Sequence, residues 1–176
     1  MPIEIGLISD THGFLDPQVA KAFADVDEIW HAGDFGDLQV ATQLEQMKPL
    51  RGVFGNIDDL EIRNAYPEDN PFECEGVSVW MTHIAGRPGL YHSRVRKKLR
   101  KNPPDVLVCG HSHICHVQRD KDIHDMLYLN PGAAGHAGAH VMRTLLKFQI
   151  FKSQVQNLRV IELGPRGRMP TGSGQS

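Results

Sequence analysis

The sequence is short of cysteine, of excess charge and of long apolar runs, and each shortage excludes a class of protein. Its three cysteines, Cys74, Cys109 and Cys115, are odd in number and include no Cys-x-x-Cys spacing. Neither a disulfide framework nor a thiolate metal cluster is expected from them. Cys109 closes an apolar run and reads as a buried free thiol, which suits a reducing, cytoplasmic setting. The 19 Lys and Arg nearly cancel the 21 Asp and Glu, leaving a formal net charge of −2, so no global positive field exists to hold nucleic acid. No apolar stretch reaches bilayer-spanning length. The start, Met1-Pro2-Ile3-Glu4, lacks the basic and apolar segments of a signal peptide. What remains is ordinary globular composition: 176 residues, 40% hydrophobic and 23% charged, enough for one domain that buries roughly 70% of its unfolded surface.

The apolar pattern predicts strands at 3–9, 28–31 and 50–54, separated by helices. Asp16-Pro17 starts the first helix, to about Ala24, and Asp37 caps the second, through Met47. That alternation implies parallel strands with right-handed crossovers. Beyond it, 71–74 and 77–82 flank Glu75-Gly76 as a hairpin. A helix over 93–101 is halted by Asn102-Pro103-Pro104. Strands follow at 106–109, 116–119, 126–129, 143–151 and 155–163, mostly antiparallel by their short connections. The expectation is one α/β domain over 1–163, with mixed sheets covered by helices. The Gly-, Pro- and Ser-rich stretch 164–176 reads as a disordered tail.

The abundance to explain is histidine, with ten in the chain. Five strand ends carry potential metal ligands: Asp10-Thr11-His12, Gly33-Asp34, Gly55-Asn56, Thr82-His83 and Gly110-His111-Ser112-His113. Ligands in open α/β sheets collect at the carboxyl ends of strands, so these five should converge. Asp10 and His12 are two apart, as are His111 and His113, and residues two apart in extended chain point the same way. Each pair is therefore expected to serve one small volume. Carboxylate, amide and imidazole donors suit manganese, iron, zinc and related divalent ions.

Taken in order, Asp-x-His, Gly-Asp, Gly-Asn, Thr-His and Gly-His-x-His resemble the calcineurin-like metallophosphoesterases. The short length, and Asn130-Pro131-Gly132 downstream, resemble the small single-domain bacterial and archaeal phosphodiesterases of that superfamily. The resemblance implies a sandwich of two mixed β-sheets flanked by helices in four layers, α-β-β-α. It implies a binuclear centre of two divalent ions, manganese first, with iron, zinc, nickel or cobalt as alternatives. Asp10, His12, Asp34 and His113 would hold one ion; Asp34, Asn56, His83 and His111 the other. The implied activity is hydrolysis of a small phosphodiester by a metal-bridging hydroxide, with Asp34 and Asn56 as catalytic residues.

One departure matters. Larger relatives carry Gly-Asn-His-(Asp/Glu), whose His is thought to protonate the leaving oxygen, whereas this chain has Gly55-Asn56-Ile57-Asp58. Ile57 transfers no proton, which points away from simple alkyl phosphomonoesters and towards activated or phenolic diesters. The segment 132–140 follows Asn130-Pro131 and is mostly Gly and Ala. Its two sizeable side chains, His136 and His140, are candidates for binding phosphate or supplying the missing proton, or else for plain surface residues or a subunit contact. Asp58 reads equally as a support for a ligand or as a surface turn residue, and His31 equally as a ligand's support or as a structural histidine. The six basic residues among 94–101 read as a solvated helix face with Val95 and Leu99 inward. Two rivals stand beside the enzyme. One is a non-catalytic protein-binding scaffold, as the retromer subunit of this fold is used. The other is a nuclease, for which the chain lacks the extra DNA-binding regions. A homo-oligomer stays open, and membrane association is not expected.

Overall fold

The computed structural model describes residues 1–167. The strands, in chain order, are β1 (Ile3–Ile8), β2 (Glu28–His31), β3 (Leu50–Gly52), β4 (Asp69–Cys74), β5 (Val77–Thr82), β6 (Gly86–Arg87), β7 (Leu90–Tyr91), β8 (Val106–Val108), β9 (Cys115–Asp120), β10 (Met126–Pro131), β11 (Met142–Phe151) and β12 (Gln154–Pro165). The helices are α1 (Pro17–Ala22), α2 (Leu38–Met47), α3 (Leu60–Ala65) and α4 (Ser93–Lys101). One five-stranded sheet runs β12-β11-β1-β2-β3 and the other β4-β5-β8-β10-β9, with β6 and β7 forming a separate ribbon. Both large sheets are mixed: β1, β2 and β3 are parallel, as are β5, β8 and β10, with antiparallel strands at the flanks.

Alternation along the strands builds the layers. Ile5, Leu7, Trp30, Val79, Met81, Val108, Leu129 and Phe148 meet between the two sheets. From the opposite face of the first sheet, Ile8, Ile29 and Leu145 pack on Val19, Phe23, Val40 and Leu44 of the α1 and α2 region. From the outer face of the second, Trp80, Leu107 and Tyr128 pack on Val95 and Leu99 of α4. The result is the α-β-β-α order. Asp16, Asp37 and Asp59 cap the first three helices, each accepting an amide from the first turn, and the caps at 16 and 37 stand where the sequence predicted them.

Several details differ from the sequence expectation. The short α3 and the β6–β7 ribbon carry too few residues for a periodic signal. β10 and β11 are not partners: they lie in different sheets, and the segment 132–141 carries the chain across the sandwich edge. β12 runs to Pro165 and Arg166 N–H donates to the Val141 carbonyl, so the chain stays paired past 163; the expected tail from 168 onward lies outside the described residues. The hairpin at Glu75-Gly76 forms as expected, both residues having the positive φ of a type I′ turn (48° and 77°).

The basic helix α4 behaves as a solvated face. Val95 and Leu99 are buried, while Arg94 and Lys98 both bind Asp69 and Lys98 lies over the Trp80 ring. Burial pushes the Cys109 thiol up to about 12 and the Cys74 thiol up to about 11, so both are unreactive. No helix among the described residues is long and apolar enough to cross a membrane.

Candidate metal centre

The carboxyl ends of β1, β2 and β3 from one sheet, and of β5 and β8 from the other, open onto the same edge of the sandwich. Two groups of donors assemble there. Asp10, His12 and His113 offer one atom each, all within 4.8 Å of one another, and so do Asp34, His83 and His111. Asp34 Oδ2 lies between the groups, 3.6 Å from His12 Nε2 and 3.2 Å from His83 Nε2. Asn56 Oδ1 is 2.9 Å from His111 Nδ1, which places the amide at the second group. All seven residues therefore meet at one site.

The route by which they meet differs from the sequence argument. Asp10, His12, Asp34, His111 and His113 all have positive φ, between 48° and 69°. They sit in left-handed turns after the strands, not in extended chain. Period-two alternation does not apply there, and His111 and His113 accordingly join different groups. Left-handed conformations at non-glycine residues cost about 1 kcal/mol or more each and persist only where surroundings over-determine them.

Those surroundings are visible. Asp10 is fully buried; its Oδ2 accepts from the Ser9 hydroxyl (2.6 Å) and the His111 amide (3.1 Å). Asp34 Oδ1 accepts from the Ile57 amide (3.1 Å). Asp58, only 4% exposed, accepts three amides: Phe35 (3.2 Å), Gly36 (2.8 Å) and Gly55 (2.8 Å). It thus ties the turn that carries Asp34 to the turn that carries Asn56, which decides its role. Asn130 reaches back to the Gly110 carbonyl (2.9 Å) and the Ser112 hydroxyl (3.0 Å), fixing the turn that carries His111 and His113. His31 is a buried structural support, bonded to Thr11 Oγ1 and the Gly33 amide and stacked on Phe35 at 3.6 Å; burial holds its pKa down at about 3. Glycine is needed at 55 and 110 for close approach. A Cβ at 55 would stand 1.9 Å from Asp34 Oδ1, and one at 110 would stand 2.1 Å from Ser9 Oγ.

The polar atoms facing the centre fit cations. Asp10 Oδ1, His12 Nε2 and His83 Nε2 are buried without a hydrogen-bond partner among the described residues. His83 Nδ1 lies 2.7 Å from the Ala32 carbonyl. A carbonyl only accepts, so Nδ1 donates and Nε2 of the neutral ring turns a lone pair towards the Asp34 carboxylate. Two acceptors at 3.2 Å require a proton or a cation between them. Without metal the proton serves: burial pushes His83 down, but Asp34 and Asp10 outweigh it and the pKa is raised. Burial pushes Asp10 up, but His113, His12, His83 and the Ser9 hydroxyl outweigh it and hold the carboxyl far below its usual range.

The 132–140 segment runs alongside these turns, with Ala134 and Gly135 amides donating to the Ser9 and Asp10 carbonyls. His136 turns aside to Phe14 and the Arg166 carbonyl. His140 bonds the Gly135 carbonyl (3.0 Å) and packs edge-on against His113, ring centroids 5.2 Å apart. Neither ring occupies the position beside Asn56, where Ile57 stands, 47% exposed. Ser9 carried no signal in the sequence, and Asn130 entered only through the Asn130-Pro131-Gly132 resemblance, without a role; both act through hydrogen bonds to turns that pattern reading does not resolve.

Comparison with known proteins adds relatives to this geometry. The calcineurin-like phosphoesterase superfamily domain matches residues 3–152. A probable metallophosphoesterase of Methanothermobacter thermautotrophicus is 34% identical over 134 residues, covering 73% of this chain and 76% of that one. One of Methanocaldococcus jannaschii is 32% identical over 138 residues, covering 73% and 67%. Among solved structures, a novel archaeal phosphodiesterase superposes with a TM-score of 0.70 at 22% identity, covering 92% of this chain and all of that one (100%). Wild-type Vps29 of Entamoeba histolytica complexed with Zn2+ superposes with the same score, 0.70, at 15% identity and 94% coverage of this chain. At these identities the structural likenesses establish the fold.

Proposed function

The chain belongs to the calcineurin-like phosphoesterase superfamily, and on that premise we propose that it is a phosphodiesterase with a centre for two divalent cations. The observation that carries this reading is the pair of three-donor groups joined through Asp34, with buried acceptor atoms turned towards each other and unpaired. Asp10, His12 and His113 would hold one cation, Asn56, His83 and His111 the other, and Asp34 both. Such cations, when bound, polarise a phosphoryl oxygen and lower the pKa of bound water.

The chain's own residues do the rest. Asp10 and Asp34 bring two negative charges to the site, and burial strengthens their hold on cations. The bond between Ala32 and His83 fixes the ring so that Nε2 faces the centre. Asn56 has Oδ1 beside His111, which leaves its amide N–H groups to donate to a phosphoryl oxygen. Ile57 offers no proton, so esters whose leaving groups depart unaided are favoured. Manganese is the first expectation among the metals. The partner-binding reading would tolerate decay of the ligands, whereas here each is present and supported.

The test is turnover of bis-p-nitrophenyl phosphate by protein stripped with chelator and reloaded with Mn, Fe, Zn, Ni or Co in turn, with metal content measured. Turnover that depends on metal, and exceeds that of an alkyl phosphomonoester, is expected. Full loading with each metal and no hydrolysis of any diester would leave the scaffold reading in possession.

A further inference from the structure

A cavity of about 240 Å³ adjoins the centre at Asn56 and His83 and is lined as well by Arg63, Glu68, His92 and Arg94. The two arginines differ. Arg94 is compensated: it binds both Asp69 oxygens (2.9 and 2.7 Å), donates to Thr82 Oγ1 (2.8 Å) and has Glu68 at 3.8 Å. Arg63 forms no ion pair among the described residues. Instead its Nε donates to the Asp58 carbonyl (2.7 Å) and its Nη2 to the Asn56 and Gly55 carbonyls (3.2 and 3.5 Å), with the guanidinium 4.6 Å above the Phe54 ring. Nη1 has no protein partner among those residues. An exposed, uncompensated guanidinium is therefore fixed by four contacts on the very turn that presents Asn56. Neutral carbonyls and an aromatic face orient it without spending its charge. His92, the N-cap residue of α4, also lines the cavity and makes no side-chain capping bond, and the acidic side chain in the lining, Glu68, is the one paired with Arg94.

We propose that this cavity is a subsite for a second anionic group of the substrate, a phosphate or carboxylate, with Arg63 as its ligand. The inference rests on the phosphodiesterase reading and narrows it. The preferred diester carries a further negative charge on the ester arm that lies on the Asn56 side. With Nε and Nη2 engaged, the free Nη1 of this pre-oriented guanidinium can donate to an oxygen of such a group at little ordering cost on binding. A singly charged diester leaves the subsite to water. Selectivity then resides in the uncompensated Arg63 and not in Arg94, whose charge is already matched.

Two measurements test this at low ionic strength on the metal-loaded protein. In the first, equilibrium binding of thymidine 3′,5′-bisphosphate is compared with that of thymidine 5′-phosphate; a 3′-succinyl ester in place of the 3′-phosphate separates carboxylate from phosphate recognition. The doubly anionic ligands should bind about tenfold more tightly, as one charge-assisted contact allows, and the advantage should shrink with added salt. In the second, kcat/KM is compared for the p-nitrophenyl esters of thymidine 5′-phosphate with and without a 3′-phosphate. The charged substrate should lead through a lower KM. Arg63→Gln should collapse both ratios towards one, whatever it does to overall rate, and Arg63→Lys should retain part of them. Equal binding of the ligands by the unaltered protein, or ratios that survive in Arg63→Gln, would overturn the subsite. Turnover of neither ester would count against the phosphodiesterase reading, and the binding comparison would still decide the subsite.

Discussion

Replacing Asp58 by Asn removes one oxygen from the carboxylate that joins the turn carrying Asp34 to the turn carrying Asn56. Oδ2 takes the amides of Phe35 and Gly55, and Oδ1 takes that of Gly36. Asparagine has a single acceptor oxygen. In either orientation at least one amide N–H is left facing an NH2 group, in a residue that is 4% exposed. An unsatisfied buried donor costs about 1–3 kcal/mol, and the bonds that remain lose their ionic character. A loss of about 2 kcal/mol corresponds to a fall in Tm of roughly 4–8 °C for a chain of this size. The experiment is a thermal melt in chelator, so that metal binding does not mask the change. Metal affinity should also fall, by roughly 10–100-fold, as is usual when a group that orients ligands is removed. The weakening should involve both cations, because the severed link holds Asp34 as well as Asn56. A variant that melts within about 1 °C of the parent and binds metal equally well would refute the claim that Asp58 organises the centre.

Three other outcomes follow from the geometry. Asp34→Asn should lose both cations and more activity than any other conservative ligand change, whereas His113→Gln should loosen mainly one; metal content by elemental analysis and bis-p-nitrophenyl phosphate turnover check this, and retained metal and activity in Asp34→Asn would exclude the shared role. Ile57→His should raise monoesterase relative to diesterase activity, since it places a proton donor beside Asn56 while keeping the backbone N–H that holds Asp34; an unchanged ratio in the metal-loaded variant speaks against that position as the acid. His31 has its pKa held down by burial from 6.5 to about 3, so below pH 6.5 the unfolded chain binds a proton that the native ring refuses. Stability therefore falls with pH from about 6.5 towards 3, and relative to His31→Gln the wild type should lose about 1.4 kcal/mol per pH unit between pH 6 and 4 in urea titrations of metal-free protein; parallel curves for the two proteins would contradict the burial argument.

The fold was legible wherever burial imposes a period on the chain. β2 and α4 stand at their predicted bounds because Ile29, Trp30, Val95 and Leu99 must each be hidden on one side. The capping aspartates mark α1 and α2 because they satisfy amides that the helices cannot. Long-range pairing was less legible. Short connections suggested mostly antiparallel strands from 116 onward, yet β10 and β11 lie in different sheets, with Leu129 and Leu146 both in the core between them. The ten-residue link 132–141 is longer than a hairpin turn and holds three glycines, of which Gly132 and Gly138 take positive φ, but nothing in its residues says which sheet the chain enters next. The six residues of α3 are likewise too few for periodicity, and its cap Asp59 is indistinguishable in sequence from its neighbour Asp58, which has an unrelated task.

The site was legible for the opposite reason: it breaks periodicity. Asp, Asn and His at the ends of apolar strands have no place in a packing pattern, so their meeting at one sheet edge follows from topology alone. The detailed geometry does not follow, because local propensity disfavours it. Five of the ligand-bearing residues adopt φ values between 48° and 69°, where extended-chain spacing has no meaning. Much of what stabilises these turns is remote in sequence: Asp58 for Asp34, Asn130 for His111 and His113, and the His111 amide for Asp10, which the adjacent Ser9 hydroxyl also holds. Each donates or accepts across a gap that glycine keeps open, as at 55 and 110. The strain is tolerable only while these bonds hold. The same rigidity keeps the Nε2 atoms of His12 and His83 turned towards the carboxylates of Asp10 and Asp34. On the proposed reading, affinity for metal should therefore depend on Asp58 and Asn130, which support the turns, as well as on the seven residues that would hold the cations.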